Sequence, residues 1–208
     1  MEKNIGEILK KIHRKFAKDK EYPQTSSEDM AVRLDFVDDA ISEWEECVFE
    51  GYNWSELIVP PTDFAFGGTG EDILPDNFLS FMRRFSQEED GLKKAELAIG
   101  GAIYAEVSAA EGEQAAQEEL SPYIFWTIGG KIKTLPAVSG TVKMPYLKKA
   151  FRYVTGEETN EIEMANSKFI EDYVLAKLYF DNADDDNGQA YFVSADDKLK
   201  KMKYTLLS

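Results

Sequence analysis

Four things are scarce in this chain of 208 residues: cysteine, histidine, positive charge and long apolar runs. The single cysteine, Cys47, has no partner within the chain, so an intramolecular disulfide is excluded and nothing points to an oxidising compartment. The single histidine, His13, stands without a cysteine or second histidine at ligand spacing, so zinc sites and His-dependent triads lack their parts. A solvated or helix-flanking histidine accounts for it, and Cys47 is expected to be a packed thiol. Lys and Arg number 24 against 39 Asp and Glu, a formal charge of -15, and such a surface repels nucleic acid. No run of roughly 18 apolar residues occurs, and Met1 to Gly6 leads straight into an amphipathic pattern, so neither a membrane span nor a signal peptide is expected.

What is present is apolar periodicity. Ile5, Ile8, Leu9, Ile12 and Phe16 recur at helical spacing with Lys10, Lys11, Arg14, Lys15 and Lys18 opposite, which predicts a basic amphipathic helix. Thr25 and Glu28 form a capping-box pattern ahead of a second stripe, Met30, Leu34, Val37, Ile41, Trp44 and Val48. Its outer face carries Asp35, Asp38, Asp39, Glu43, Glu45, Glu46 and Glu50, so the two helices are expected to pair side by side with complementary charge. After Gly51, an extended stretch through Pro60-Pro61, a loop at Gly67 to Gly70 and an extended Ile73-Leu74-Pro75 follow. Asn77 to Phe85 reads as a short helix from Phe78, Phe81, Met82 and Phe85. Ala95 to Val107 reads as a strand interrupted at Gly100-Gly101, and Ala109 to Leu120 as an exposed acidic helix or loop.

Tyr123 to Leu135 is a hairpin, because Gly129-Gly130 supplies the positive φ of a two-residue turn. After a turn at Ser139-Gly140, Val142, Met144 and Tyr146 alternate with polar residues and close a small antiparallel sheet. Asn166 caps a helix through Phe180, Asn182 to Gly188 breaks it, and Phe192, Ala195, Leu199 and Met202 mark the buried side of a final helix with Lys198, Lys200, Lys201 and Lys203 exposed. The expectation is α+β: a mainly α-helical bundle of N- and C-terminal helices (1–58 and 160–208) with a β-rich antiparallel insertion (59–159).

Reactive constellations are incomplete. Gly67-Gly68-Thr69-Gly70 is followed by Glu71-Asp72 rather than Lys-Ser, so it is no phosphate loop. Asp184-Asp185-Asp186-Asn187-Gly188 suggests calcium, but in EF-hand register Ala183 takes the first ligand position and Ser194 the place of the bidentate Glu. It reads as a solvated interhelix loop. Pairs such as Glu157 with Glu158 are expected by chance among 39 acids. No catalytic residue, cofactor or metal is therefore expected.

Ala40-Ile41-Ser42-Glu43-Trp44, Leu74-Pro75-Asp76-Asn77-Phe78, Trp126 to Ile132, Val142-Lys143-Met144-Pro145-Tyr146 and Phe169 to Lys177 follow one another along the chain. In this order they resemble the head-to-tail adaptor of tailed bacteriophages, called tail tubular protein A in short-tailed phages. The acidic segment 109–120 is longer than that pattern needs, and the loop at Gly67 to Gly70 has no counterpart in it. The resemblance implies a non-enzymatic ring of twelve copies in the virion neck, assembled in the host cytoplasm, that binds the portal and the tail or nozzle protein. DNA passes through such a ring without sequence-specific binding, and no membrane is involved. Asp35, Asp38, Asp39, Glu43 and Asp184, Asp185, Asp186 are the candidate channel-facing acids, since carboxylates do not grip phosphates. Lys198, Lys200, Lys201, Lys203, Tyr204, Leu206 and Leu207, basic and then apolar, form the candidate portal-docking segment. Two other classes stay open at this point: a carboxylate-dependent glycan hydrolase and an acidic DNA-mimic inhibitor.

Overall fold

The computed structural model describes residues 4–17, 21–48, 50–82, 84–86, 91–118, 122–153, 156 and 160–207, with the backbone alone for 84–86, 91–93 and 205–207. The chain divides into two units, residues 1–56 with 150–208, and residues 57–149.

The first unit is helical. Helix α1 (Ile5–Phe16) begins where Asn4 Oδ1 accepts from Glu7 N at 3.0 Å, and it buries Ile5, Ile8, Leu9 and Ile12. Helix α2 (Glu28–Glu46) is capped by Ser27, whose Oγ accepts from Met30 N at 3.2 Å, rather than by the expected Thr25–Glu28 box. Ser27 also donates back to Gln24 O, which fixes the entry turn and leaves Thr25 outside the helix. All six residues of the α2 stripe are buried. Helices α4 (Lys168–Asp181) and α5 (Asp185–Leu207) complete the unit.

Helix α4 is the hub. Nine of its residues are buried on every side of the helix, and α1, α2 and α5 each pack along it. An ion pair marks each of these contacts. Glu171 receives Lys11 at 2.7 Å and Lys15 from α1, Asp172 receives Lys198 from α5, and Lys177 reaches Asp39 of α2 at 3.4 Å. Among the described residues α1, α2 and α5 have little packing with one another. The basic α1 therefore answers a carboxylate on α4, and the expected side-by-side pairing of α1 with α2 does not form.

The second unit has its own aromatic core. Strands β1 (Ile58–Gly67), β10 (Ser139–Lys148) and β3 (Phe78–Phe81) make one sheet in the order β1-β10-β3. The other sheet orders β2 (Glu71–Ile73), β9 (Lys131–Leu135), β8 (Ile124–Ile128), β7 (Ala102–Glu106) and β6 (Glu96–Ile99). A separate hairpin joins β4 (Arg84–Ser86) to β5 (Gly91–Lys93). Phe64, Phe81 and Tyr146 of the first sheet share one cluster with Leu97, Tyr104, Phe125 and Ile132 of the second. Phe81 meets Phe125 edge-on with centroids 5.5 Å apart, a favoured ring geometry.

A mainly helical bundle with an antiparallel insertion is therefore not what forms. The described residues are α+β, with five helices, eight strands in two sheets and the extra hairpin. A bundle needs helices that share one axial core, whereas here α4 is itself the core of its unit. Nor is the middle purely antiparallel: β7 and β8 run parallel, joined through helix α3 (Ala109–Gln117), as parallel neighbours require a crossover. The expected helix over Asn77 to Phe85 is two strands instead. Phe78 and Phe81 share the core although three residues apart, because the register against β10 slips between Leu147 and Lys148. A bulge inserts one residue and gives a strand a helix-like spacing. Likewise β10 does not extend the hairpin sheet but pairs with β1 and β3.

Candidate interaction surfaces

Helix α3 is placed by a complete capping box, Ser108 Oγ accepting from Glu111 N at 3.3 Å and Glu111 Oε2 accepting from Ser108 N at 2.9 Å. It lies over Trp126, and a Cβ on Gly112 would stand 2.3 Å from the indole. Trp126 Nε1 donates to Glu113 Oε1 at 3.1 Å, and Lys133 Nζ reaches the same oxygen at 2.8 Å. Lys133 and then Trp126 hold the Glu113 carboxyl below the usual carboxylate range. Trp126 is thus tied down, and one part of the five-stranded sheet's outer face is covered.

Other parts of that face are bare. Strand alternation points Phe125 and Ile132 to the core and turns Ile128 and Lys131 outward. Ile73 of β2 pairs with Lys131, and Lys131 with Ile128, so the three side chains stand in one cross-strand row. Ile73 is 82% exposed, and Ile103, outward on β7 beside the buried Tyr104, is 64% exposed. Residues 73–76, Phe78, Leu79 and the Gly129-Gly130 turn border a groove of about 460 Å³ next to this row.

A second apolar surface lies where α4 meets α5. The Phe180 ring covers Gly188, at which a Cβ would come within 2.6 Å of it, and Phe192 sits 6.4 Å from Tyr173. Phe180, Phe192 and Val193 are all exposed. Phe192 was expected on the buried side of the last helix; Ala195 is the residue buried there.

The candidate docking residues divide. Lys198 is half-buried, donating to Asp172 and to Ser194 Oγ at 2.8 Å, and Lys203 pairs with Glu50 and lies over the Tyr52 ring at 5.2 Å. Burial pushes the Lys203 ammonium down, but the Glu50 carboxylate outweighs it and holds it above its ordinary value. Lys200 pairs along the helix with Asp196 at 2.5 Å. Lys201 is exposed, and Tyr204 is 70% exposed. Leu206 and Leu207 continue the backbone of α5, but their side chains lie outside the described residues.

Of the candidate channel acids, Asp35, Asp39 and Glu43 form an exposed stripe on α2 at steps of four. Asp38 is half-buried; it accepts from Tyr153 N at 3.2 Å, and burial raises its carboxyl. Asp184 is no loop ligand: its Oδ1 accepts from Asn187 N at 3.3 Å and starts α5, leaving Asp185 and Asp186 exposed in the first turn. Asp184 to Gly188 was expected to be a loop, and the capping geometry extends the helix through it. Glu157 and Glu158 lie outside the described residues.

Three buried polar residues of α1 and α2 run against the sequence pattern. Glu45, expected on the exposed face of α2, is buried, accepting from Ala150 N and pairing with Arg152. Arg33 is 5% exposed and His13 6% exposed, with Arg33 Nη2 3.4 Å from His13 Nδ1. His13 is thus a buried residue, not a solvated one. Helical spacing carries a partial signal: Arg33 falls between Met30 and Val37, three and four residues away on the apolar stripe. Cys47 is buried, donates to Glu43 O at 3.4 Å, and has its thiol pushed up to about 11 by burial, which leaves it a poor nucleophile.

Among the described residues no group of three or more His, Cys, Asp or Glu is placed to hold a metal ion, and no helix is long and apolar enough to cross a membrane. Comparison with protein-family models and with curated protein sequences finds no match.

Proposed function

We propose that this chain is a non-catalytic structural subunit, a head-to-tail adaptor that assembles as a ring in the neck of a tailed phage and joins the portal to the tail or nozzle. The observation that carries this reading is the large apolar side chains left exposed on both units: Ile73 and Ile128, which flank Lys131 in one cross-strand row, and Phe180, Phe192 and Val193 on α4 and α5. Single exposed apolar residues are ordinary, but large ones that recur on one face mark a surface that another chain covers. The stripe of Asp35, Asp39 and Glu43 suits a channel wall that lets the phosphate backbone slide past. The order of segments that resembles the adaptor family supports the choice of this assembly over others, and the ring of twelve rests on that resemblance alone.

Mass photometry of the purified chain, alone and mixed with a portal ring, tests the proposal. A complex of fixed stoichiometry is expected, and a chain indifferent to the portal overturns it. Ile73→Glu with Ile128→Glu should abolish the complex while the Trp126 emission of the folded sheet stays unchanged. An undiminished complex in that variant removes the sheet row as the contact.

A further inference from the structure

Strand β6 ends the five-stranded sheet, and its outer edge is bare. Glu106 N donates to Ala95 O at 2.9 Å, so residues 95 and 106 are a closely bonded pair. Such pairs alternate along an antiparallel ladder, so Leu97 with Tyr104 and Ile99 with Ala102 are bonded as well. Glu96 and Ala98 therefore turn their N–H and C=O groups away from β7, and both residues are exposed. Among the described residues nothing bonds to those groups. The opposite edge of the sheet is blunted. Thr69 Oγ1 donates to Glu71 O at 2.8 Å and accepts from Glu71 N at 3.4 Å, which occupies the outward groups of Glu71 on β2. In the other sheet, β1 carries Pro60-Pro61, which have no N–H to offer. Devices of this kind keep an edge from pairing with another chain, and β6 carries neither. Beside the bare edge stands Ile103, paired with Ala98 and 64% exposed, so an incoming strand meets backbone partners and an apolar side chain together.

We infer that β6 pairs antiparallel with β6 of a second copy of this chain, joining the two five-stranded sheets across a twofold axis. The register follows from the outward groups, because only Glu96 and Ala98 can form the closely bonded pairs. Glu96 opposite Glu96 sets like charges against each other, which is destabilising. Ala98 opposite Ala98 carries Glu96 past the end of the strand to Gly100, whose φ of 60° belongs to a turn. Glu96 opposite Ala98 uses both outward residues of each copy and sets no charge against its like. The strand is thus complementary to itself, which commits the edge to a second copy rather than to a foreign segment. A contact of so few residues falls below the about 1,200 Å² of lasting interfaces, so the dimer is transient and grows with concentration. This inference does not depend on the adaptor reading, which rests on other side chains.

Sedimentation velocity over a concentration series reads the dimer, in about 0.15 M salt, where exposed charges more than about 8 Å apart are screened. The mass should rise with concentration from one copy toward two, and hydrogen exchange at the Ala98 amide should slow alongside it. Ala98→Pro removes the outward N–H at an edge position, where proline is tolerated. It should leave a monomer at every concentration with the far-UV circular dichroism unchanged. Ala98→Lys sets an ammonium opposite Glu96 of the second copy and should tighten the dimer several-fold, whereas Ala98→Glu should weaken it. Ala31→Lys, an exposed change on α2 with the same effect on net charge, should do little. Ile73→Glu with Ile128→Glu, the variant expected to lose the portal, should keep the dimer, so the two readings fail separately. A monomer throughout, a dimer that survives Ala98→Pro, lysine and glutamate at position 98 acting alike, or Ala31→Lys tightening as much as Ala98→Lys would each overturn the inference.

Discussion

The two units bury different chemistry. In the helical unit His13, Arg33, Glu45, Glu171 and Asp172 are all buried, whereas the described core of the β unit is nearly all aromatic and aliphatic, with Thr134 its buried polar residue. The contrast follows from geometry. A helix hydrophobic on every side offers no preferred face to its neighbours, and carboxylates at successive positions of α4 point about 100° apart, so Glu171 selects α1 and Asp172 selects α5. A β unit needs no such keys, since strand pairing and side-chain alternation already fix its register. Buried ion pairs contribute little net stability when set against apolar replacements, but they penalise the wrong arrangement heavily.

The comparison breaks most severely in the β unit if Phe125 is cut to alanine. The ring is fully buried at the meeting of the two sheets, and the loss should be about 3–5 kcal/mol. Urea unfolding followed through Trp126, with Trp44 and Trp54 changed to Phe, measures it within the β unit. In the helical unit, Lys11→Met with Lys15→Met strands the Glu171 carboxylate. About 2 kcal/mol should be lost, less than the 3–5 of a wholly dry pair because both lysines are about one-third exposed or more. Adding Glu171→Met to that variant should restore most of the loss; if it does not, the pair acts by more than charge matching.

Gly112→Ala comes next. Its new methyl meets the Trp126 ring, and overpacking of this kind costs about 1–3 kcal/mol, with a changed Trp126 emission as the local signature. The smallest effect is that of acid on the β unit. Lys131 beside Glu71, the Ser108 backbone at Glu111, and Lys133 at Glu113 each hold a carboxyl below its ordinary value of 4.5. Depressed carboxyls contribute stability that is present above the unfolded value and lost as pH falls through the folded ones. The β unit should therefore weaken as pH drops below about 4.5, and Glu113→Gln should flatten that slope in a pH series of urea midpoints. An unchanged slope would show that the contacts of Glu113 are too exposed to matter.

Much of this was legible in the residues. The six-residue stripe from Met30 to Val48 is buried throughout, and the Gly129-Gly130 turn has the positive φ values, 58° and 75°, that two-residue hairpins demand. A local pattern misleads wherever it has a second cause. Phe78 and Phe81 imitate a helix because a bulge separates them, and Asp184 to Gly188 imitates an interhelix loop because a capping acid and the turn residues after it also open a helix. Spacing hinted that Arg33 is buried but not what it meets, since an arginine inside an apolar stripe does not announce whether its partner is water, a carboxylate or nothing.

By itself the sequence determined the elements whose signal lies within a few residues: helical stripes, glycine turns and the overall acidic charge. Those depend on backbone preference and local spacing, which a neighbour cannot easily reverse. Only the tertiary structure decided that α4 would become the hub, that Glu45, Glu171 and Asp172 would be buried among so many exposed acids, and that β10 would leave its sequence neighbour for β1 and β3. Those choices depend on which distant surfaces meet. A buried carboxylate and an exposed one are the same letter until the partner that pairs with it arrives from the other end of the chain.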